Sequence, residues 1–263
     1  MRFRERSMTA VHATLCGLAF FGLGCASISG QDPLTFQQLN EAEARRDLGI
    51  DYLARGRTAL AIRELRHAET LNPNDSTTHL WLGEAHRRKG RLADAKSHAE
   101  AAVRLDPRNQ EARLNLSGLY LQLGHYPEAA EQARELALDP TYVATWQALN
   151  NLGWAQFKQG LYKDARQSFE EALKYRKHYW PSRLNLGILA ETEGRNRDAL
   201  AEFAKVIERS PSSVVAEANY RAGEVRIAMG DRLAAIRHFE ASLVSAPEGP
   251  YSESSQEFLD ILR

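Results

Sequence analysis

Six glycines recur along the chain at Gly56, Gly90, Gly124, Gly160, Gly194 and Gly230, separated by 34, 34, 36, 34 and 36 residues. Five residues after each comes an alanine: Ala61, Ala95, Ala129, Ala165, Ala199 and Ala235. Seven residues before each comes a small residue: Gly49, Gly83, Ser117, Gly153, Gly187 and Gly223. Self-similarity at a fixed period of this length points to a stack of like supersecondary units in one solenoid, not to two ordinary domains. No single unit can bury its own apolar face, so each must pack on the next.

One period reads as two helices of roughly a dozen residues, with apolar positions at i, i+3, i+4 and i+7. The glycine between them supports a chain reversal, because it tolerates positive φ without a Cβ clash. The small residues let the two helix backbones approach closely. Pro73, Pro107, Pro211 and Pro247 close units, since proline cannot continue the preceding helix. Leu48-Gly49, Leu82-Gly83, Leu152-Gly153 and Leu186-Gly187 fall in the first half of the period. Ala165 with Phe169, Ala199 with Phe203 and Ala235 with Phe239 fall in the second. This pattern resembles the tetratricopeptide repeat. The resemblance implies an all-α, right-handed superhelix of six helix-turn-helix repeats with a concave groove. The repeats are expected to start near Glu41, Ser76, Gln110, Trp146, Trp180 and Ala216. Two-residue insertions fall around Pro140-Thr141-Tyr142-Val143 and Ser212-Ser213-Val214-Val215. The segment Tyr251 to Arg263 carries Phe258, Leu259, Ile261 and Leu262, with Ser252 or Ser254 as candidate N-caps, and is expected to form a capping helix. The expected organisation is a signal peptide over 1–24, a lipidated tether over 25–40, repeats over 41–249 and the cap over 250–263.

Arg2, Arg4 and Arg6 precede an apolar run from Met8 to Leu23, followed by Gly24, Cys25, Ala26 and Ser27. A basic start, a short apolar core and small residues at its end describe a secretory signal. Phe21-Gly22-Leu23-Gly24-Cys25 resembles a bacterial lipobox, in which the cysteine becomes the first mature residue and carries the lipids. Gly22 stands where that pattern prefers Leu, Leu23 comes one place late, and Gly24 fits. Cleavage before Cys25 removes Cys16 and leaves a single cysteine, a reactive liability in an oxidising compartment that acylation removes. With no Asp after Cys25, likeness to lipoprotein sorting implies the outer membrane, the chain facing the periplasm. Residues 26–34 would then be a tether reaching at most ~30 Å. Cleavage near Ala26 or Ser29 would instead leave a soluble periplasmic protein. An uncleaved anchor is a further reading of the same run.

The 34 basic and 34 acidic residues cancel, and no strongly basic stripe supports nucleic-acid binding. No apolar stretch past residue 40 reaches the ~18 residues a membrane helix needs. Both cysteines precede the repeats, which therefore hold no disulfide, thiolate metal site or cysteine nucleophile. There is no HExxH, phosphate-binding loop or G-x-S-x-G elbow, so neither an enzyme nor a small-molecule substrate is expected. No cofactor is expected beyond covalent lipid on Cys25. His79 and His86 lie seven apart and could share a helix face. They occupy positions that normally pack between helices, and no third ligand has suitable spacing, so no metal site is expected.

Specificity should reside in the groove, lined by positions 2, 5, 6, 9, 12 and 13 of each first helix in the resembling family. These give Ile50 and Leu53, Leu80 and Trp81, then Leu114, Asn115 and Leu121. Asn151, Trp154 and Phe157 follow, then Leu184, Asn185 and Ile188. The groove reads as largely apolar, as helix or extended-peptide recognition requires. Some of these side chains, Trp81 above all, can equally be inter-repeat core. Asn115, Asn151 and Asn185 share one repeat position. A ladder of amides could grip a peptide backbone, each donating and accepting at once.

The lipobox, Ala44-Arg45-Arg46-Asp47-Leu48-Gly49-Ile50-Asp51-Tyr52-Leu53, and Leu138-Asp139-Pro140-Thr141-Tyr142 running into Asn150-Asn151-Leu152-Gly153 together resemble the type IV pilus pilotins, the PilF/PilW/Tgl group. That resemblance implies a non-enzymatic outer-membrane lipoprotein. Its partner would be the secretin of the pilus machine, whose localisation and assembly it would promote. The other reading is an assembly factor of a different envelope machine, such as outer-membrane β-barrel insertion or peptidoglycan-enzyme regulation.

Overall fold

The computed structural model describes residues 34–210 and 212–262, apart from the side chains at 212 and 213. The signal segment, Cys16, Cys25, most of the expected tether and Pro211 lie outside the described residues. The described chain is all helical. The first four repeats are α1 (Phe36–Ala54) with α2 (Thr58–Leu71), α3 (Ser76–Arg88) with α4 (Leu92–Leu105), α5 (Gln110–Leu123) with α6 (Tyr126–Leu138), and α7 (Thr145–Lys158) with α8 (Tyr162–Tyr175). The last two are α9 (Trp180–Thr192) with α10 (Asn196–Arg209) and α11 (Ser212–Ala228) with α12 (Arg232–Ser245); α13 (Ser252–Leu262) ends the array. This is the right-handed superhelix of helix pairs that the resemblance implied.

Each pair is joined by the same device. At the α5–α6 turn Gly124 adopts φ 77°, and the His125 N–H donates to Tyr120 O at 2.9 Å. This ties off a carbonyl left without a helical partner. The bond recurs at Arg57 to Tyr52 (2.8 Å), Arg91 to His86 (2.9 Å) and Arg195 to Ala190 (2.8 Å). The small residues have a specific counterpart sixteen positions later. A Cβ built on Gly187 would lie 2.4 Å from Phe203 Cε1, and one on Gly153 would lie 2.7 Å from Phe169 Cδ1. Phe169, Phe203 and Phe239 are fully buried in these notches. Burial of each contributes on the order of 1.5–3 kcal/mol.

The ends differ in part from the sequence reading. α1 begins at Phe36, ahead of the expected start at Glu41. The reason is a capping box: the Gln38 N–H donates to Thr35 Oγ1 at 3.2 Å, and the Thr35 N–H donates to Gln38 Oε1 at 2.9 Å. Ser252 and Ser254 lie inside α13, and Ser252 Oγ donates back to Gly249 O at 2.8 Å instead of capping helix N–H groups. α13 covers the last repeat, with Phe258 stacked on Phe239 at 4.7 Å and Leu259 buried beside them. The two insertions also differ from each other. The second extends α11 to 17 residues, whereas the first forms an irregular connection in which Tyr142 is buried and Thr145 Oγ1 donates to Tyr142 O at 2.8 Å.

Candidate partner-binding groove

The first helices of successive repeats form the walls of a cleft of about 320 Å³. Leu80, Glu84 and Arg87 come from α3, Leu114, Asn115 and Gln122 from α5, and Gln147 and Asn151 from α7, with Tyr179 at one edge. Gly83 and Gly118 keep the floor low. Of the residues expected to line the groove, Leu80, Leu114, Asn115 and Asn151 share this cleft. The cleft is more polar than expected, because the same helical positions also bring Glu84, Arg87, Gln122 and Gln147.

Other expected groove residues lie elsewhere. Leu53 is 1% exposed and packs with Leu65, Leu82 and Ala85. Leu184 and Ile188 are buried with Phe203, Ala218 and Val225. These three are inter-helix core, because helices from two neighbouring units close over them. Leu121 packs partly buried against Ala129, Leu152 and Ala155. Trp154 and Phe157 stack on each other at 5.1 Å and rest on two core clusters, with Lys158 Nζ 5.0 Å above the Trp154 ring. Ile50 is half-buried on α1 and Trp81 half-buried against the first core cluster. The amide column is partly engaged internally: Asn185 Nδ2 donates to Asn150 Oδ1 at 3.0 Å and Asn151 Nδ2 to Ser117 Oγ at 3.4 Å.

Electrostatics give the cleft one fixed anion. Burial raises the Glu84 pKa, but Arg87 and Arg88 bonds at 2.8 and 2.6 Å outweigh it and hold the carboxyl below its usual range. Arg88 also donates through Nη1 to Leu53 O at 2.8 Å, linking α3 to the end of α1. Farther along, Glu191 on α9 is raised by burial, with Glu224 adding to the shift and Arg221 opposing it. Its Oε2 is buried without a hydrogen-bond partner. Burial also pushes the Tyr142 hydroxyl up to about 12.

The stacked helix pairs and the concave cleft define a protein-interaction solenoid. The chain belongs to the tetratricopeptide repeat family, which matches residues 86–149 in one form and residues 46–95, 150–214 and 184–251 in another. It is 27% identical over 221 residues to the type IV pilus assembly protein PilF of Pseudomonas aeruginosa, covering 75% of this chain and 88% of that protein. The solved structure of Pseudomonas aeruginosa PilF superposes with a TM-score of 0.65 at 20% identity, covering 84% of this chain and 99% of that one. The crystal structure of PilW, a widely conserved type IV pilus biogenesis factor, superposes with a TM-score of 0.71 at 19% identity, covering 82% and 98%.

Proposed function

We propose that this chain is an outer-membrane lipoprotein pilotin. It binds secretin subunits of a type IV pilus machine and promotes their outer-membrane localisation and oligomer assembly. It acts as a scaffold and not as an enzyme. The observation that carries this reading is the extent of the likeness to PilF and PilW, which covers 75–84% of this chain and 88–99% of those proteins and not just a few repeats. Within the pilotin group we propose a Tgl-like protein. The groove supplies a mixed apolar and amide surface suited to an extended or helical peptide. Lipid on Cys25 would hold that groove at the membrane, since stable anchoring requires more than one acyl chain.

The test is a deletion strain scored for surface pili and heat-stable secretin oligomers. Loss of both, restored by the wild-type gene, is the expected result. A Cys25→Ala gene should leave secretin unassembled or mislocalised although the solenoid is made. Normal secretin oligomers in the deletion strain overturn the function, and normal oligomers with Cys25→Ala alone overturn the anchoring part.

A further inference from the structure

In five of the six repeats the first helix carries a residue that pairs with a side chain nineteen positions later, on the second helix of the same repeat. Arg45 Nη1 meets Glu64 at 3.0 Å, Arg113 Nη1 meets Gln132 at 3.0 Å and Arg183 Nη1 meets Glu202 at 2.9 Å. In the last repeat Asn219 meets His238 at 3.0 Å. The second repeat fills this slot with two imidazoles, His79 on α3 and His98 on α4, whose Nδ1 atoms are 3.1 Å apart.

Two of the three arginines in this slot also donate to a carbonyl six residues back, Arg113 to Pro107 O at 3.0 Å and Arg183 to Lys177 O at 3.5 Å. His79 does the same through Nε2, 2.9 Å from Pro73 O. A carbonyl only accepts, so Nε2 carries the proton of the neutral ring, and the Nδ1 lone pair faces His98. Backing of this kind is typical of metal-bound histidine.

A third group completes the cluster. Glu69 on α2, in the first repeat, holds Oε1 3.7 Å from Nδ1 of both histidines. At the period-related positions the other repeats carry apolar residues: Val103, Ala137, Leu173, Ile207 and Leu243. The carboxylate therefore interrupts an apolar column at the place where it faces the His–His pair. The equidistant point in the plane of the three ligand atoms lies about 2.0 Å from each, and an ion slightly out of that plane lies a little farther. Zinc–imidazole and zinc–carboxylate bonds measure about 2.0–2.2 Å. The side chains of His79, His98 and Glu69 are 12%, 18% and 26% exposed, which leaves solvent access for a fourth ligand. His86 stacks on His98 at 5.4 Å with ring planes 7° apart and steadies that ring.

We propose that Glu69 Oε1, His79 Nδ1 and His98 Nδ1 form a site for a divalent transition ion of the zinc class, with water in the fourth position. The ion pins α2 of the first repeat to α3 and α4 of the second. The pairing of His79 with His86 considered from sequence is thereby replaced: the missing ligands come from the neighbouring helices.

The test is titration of the full chain with Zn²⁺ against a chromophoric chelator, and with Co²⁺ followed by visible absorption. Wild type should take up zinc at this site and give the intense absorption of four-coordinate cobalt. Glu69→Gln and His98→Gln should each weaken zinc binding at least ~10-fold. The double variant His79→Arg with His98→Glu restores the pair used by other repeats. It should fold, lose this zinc site and lose the zinc-induced rise in Tm seen in wild type. Equal zinc uptake and equal Tm shift in wild type and double variant overturn the proposal, as does a six-coordinate cobalt spectrum for the wild type.

Discussion

Replacing Gly187 by alanine tests how tightly paired helices are notched together. The new methyl would lie 2.4 Å from Phe203 Cε1, 2.7 Å from Cδ1 and 3.1 Å from Cζ. Carbon atoms rest about 3.5–4.0 Å apart, so the nearest overlap exceeds about 1 Å. Phe203 is 0% exposed and packs against Val206, Ala218 and Val225, so the ring has no open side to retreat into. Overpacking of a core costs about 1–3 kcal/mol, while alanine in place of glycine recovers up to about 1 kcal/mol of helix propensity. With an overlap this large and no room for the ring, the cost lies toward the top of that range, and a net loss of about 1–2 kcal/mol follows. Gly83→Ala is the matched control, because Ala99 stands where Phe203 stands in its own repeat. The added methyl there comes no nearer than 3.3 Å to Ala95 O, 3.4 Å to Ala99 N and 3.7 Å to Ala99 Cα. Its stability should stay within about 0.5 kcal/mol of wild type. Urea unfolding followed by far-UV circular dichroism gives both values from the midpoint at constant m. Phe203→Leu in the Gly187→Ala background should show a coupling of about 0.5–3 kcal/mol. A Gly187→Ala protein as stable as wild type, or one more stable than Gly83→Ala, would refute the notch.

Three further outcomes follow from single sites. Asp75 caps α3, accepting from the Thr77 and Thr78 N–H groups and from Thr78 Oγ1 at 2.6 Å, and it pairs with Arg46 at 3.2 Å. Asp75→Ala should cost about 1–2 kcal/mol in chemical unfolding, and no change would contradict the cap. The Glu191 pKa is raised in the folded protein, so its favourable contribution is complete below the ordinary glutamate range of about 4.3 and is lost as pH rises through the raised value. Glu191→Gln should therefore raise Tm at neutral pH and not at pH 3; an equal gain at both would remove titration as the cause. Leu259→Ala, at a side chain 2% exposed, should cost about 2–5 kcal/mol locally. It should lower amide protection in α12 and α13 and leave α1 and α2 unchanged, as expected where units contact only neighbours.

The backbone plan was legible because the repeat writes local chemistry at fixed offsets. Gly124 marks a turn, and Gly187 sixteen residues before Phe203 marks a notch; both can be read without knowing how units stack. The groove was legible only in part. Leu80, Leu114, Asn115 and Asn151 sit at the right helical phase, whereas Leu53, Leu184 and Ile188 share first-helix faces that the next unit covers. Only stacking decides which side of that boundary a leucine falls on. The Glu69, His79 and His98 cluster escaped for a similar reason, since its atoms come from three helices and two repeats. One signal was present: aligning the repeats nineteen apart sets His79–His98 in the column of Arg45–Glu64 and Arg183–Glu202, where two imidazoles stand out.

The cleft walls are α3, α5 and α7, one from each of three successive units. Units in such an array touch chiefly their neighbours, so the distance between walls is set by the small rotation accumulated from one unit to the next. Twisting or stretching the array therefore changes the width of the site at its middle. Tension on the ends and grip on an occupant become one mechanical coordinate. A segment laid across the three walls would stiffen the array, and an array under load would release it.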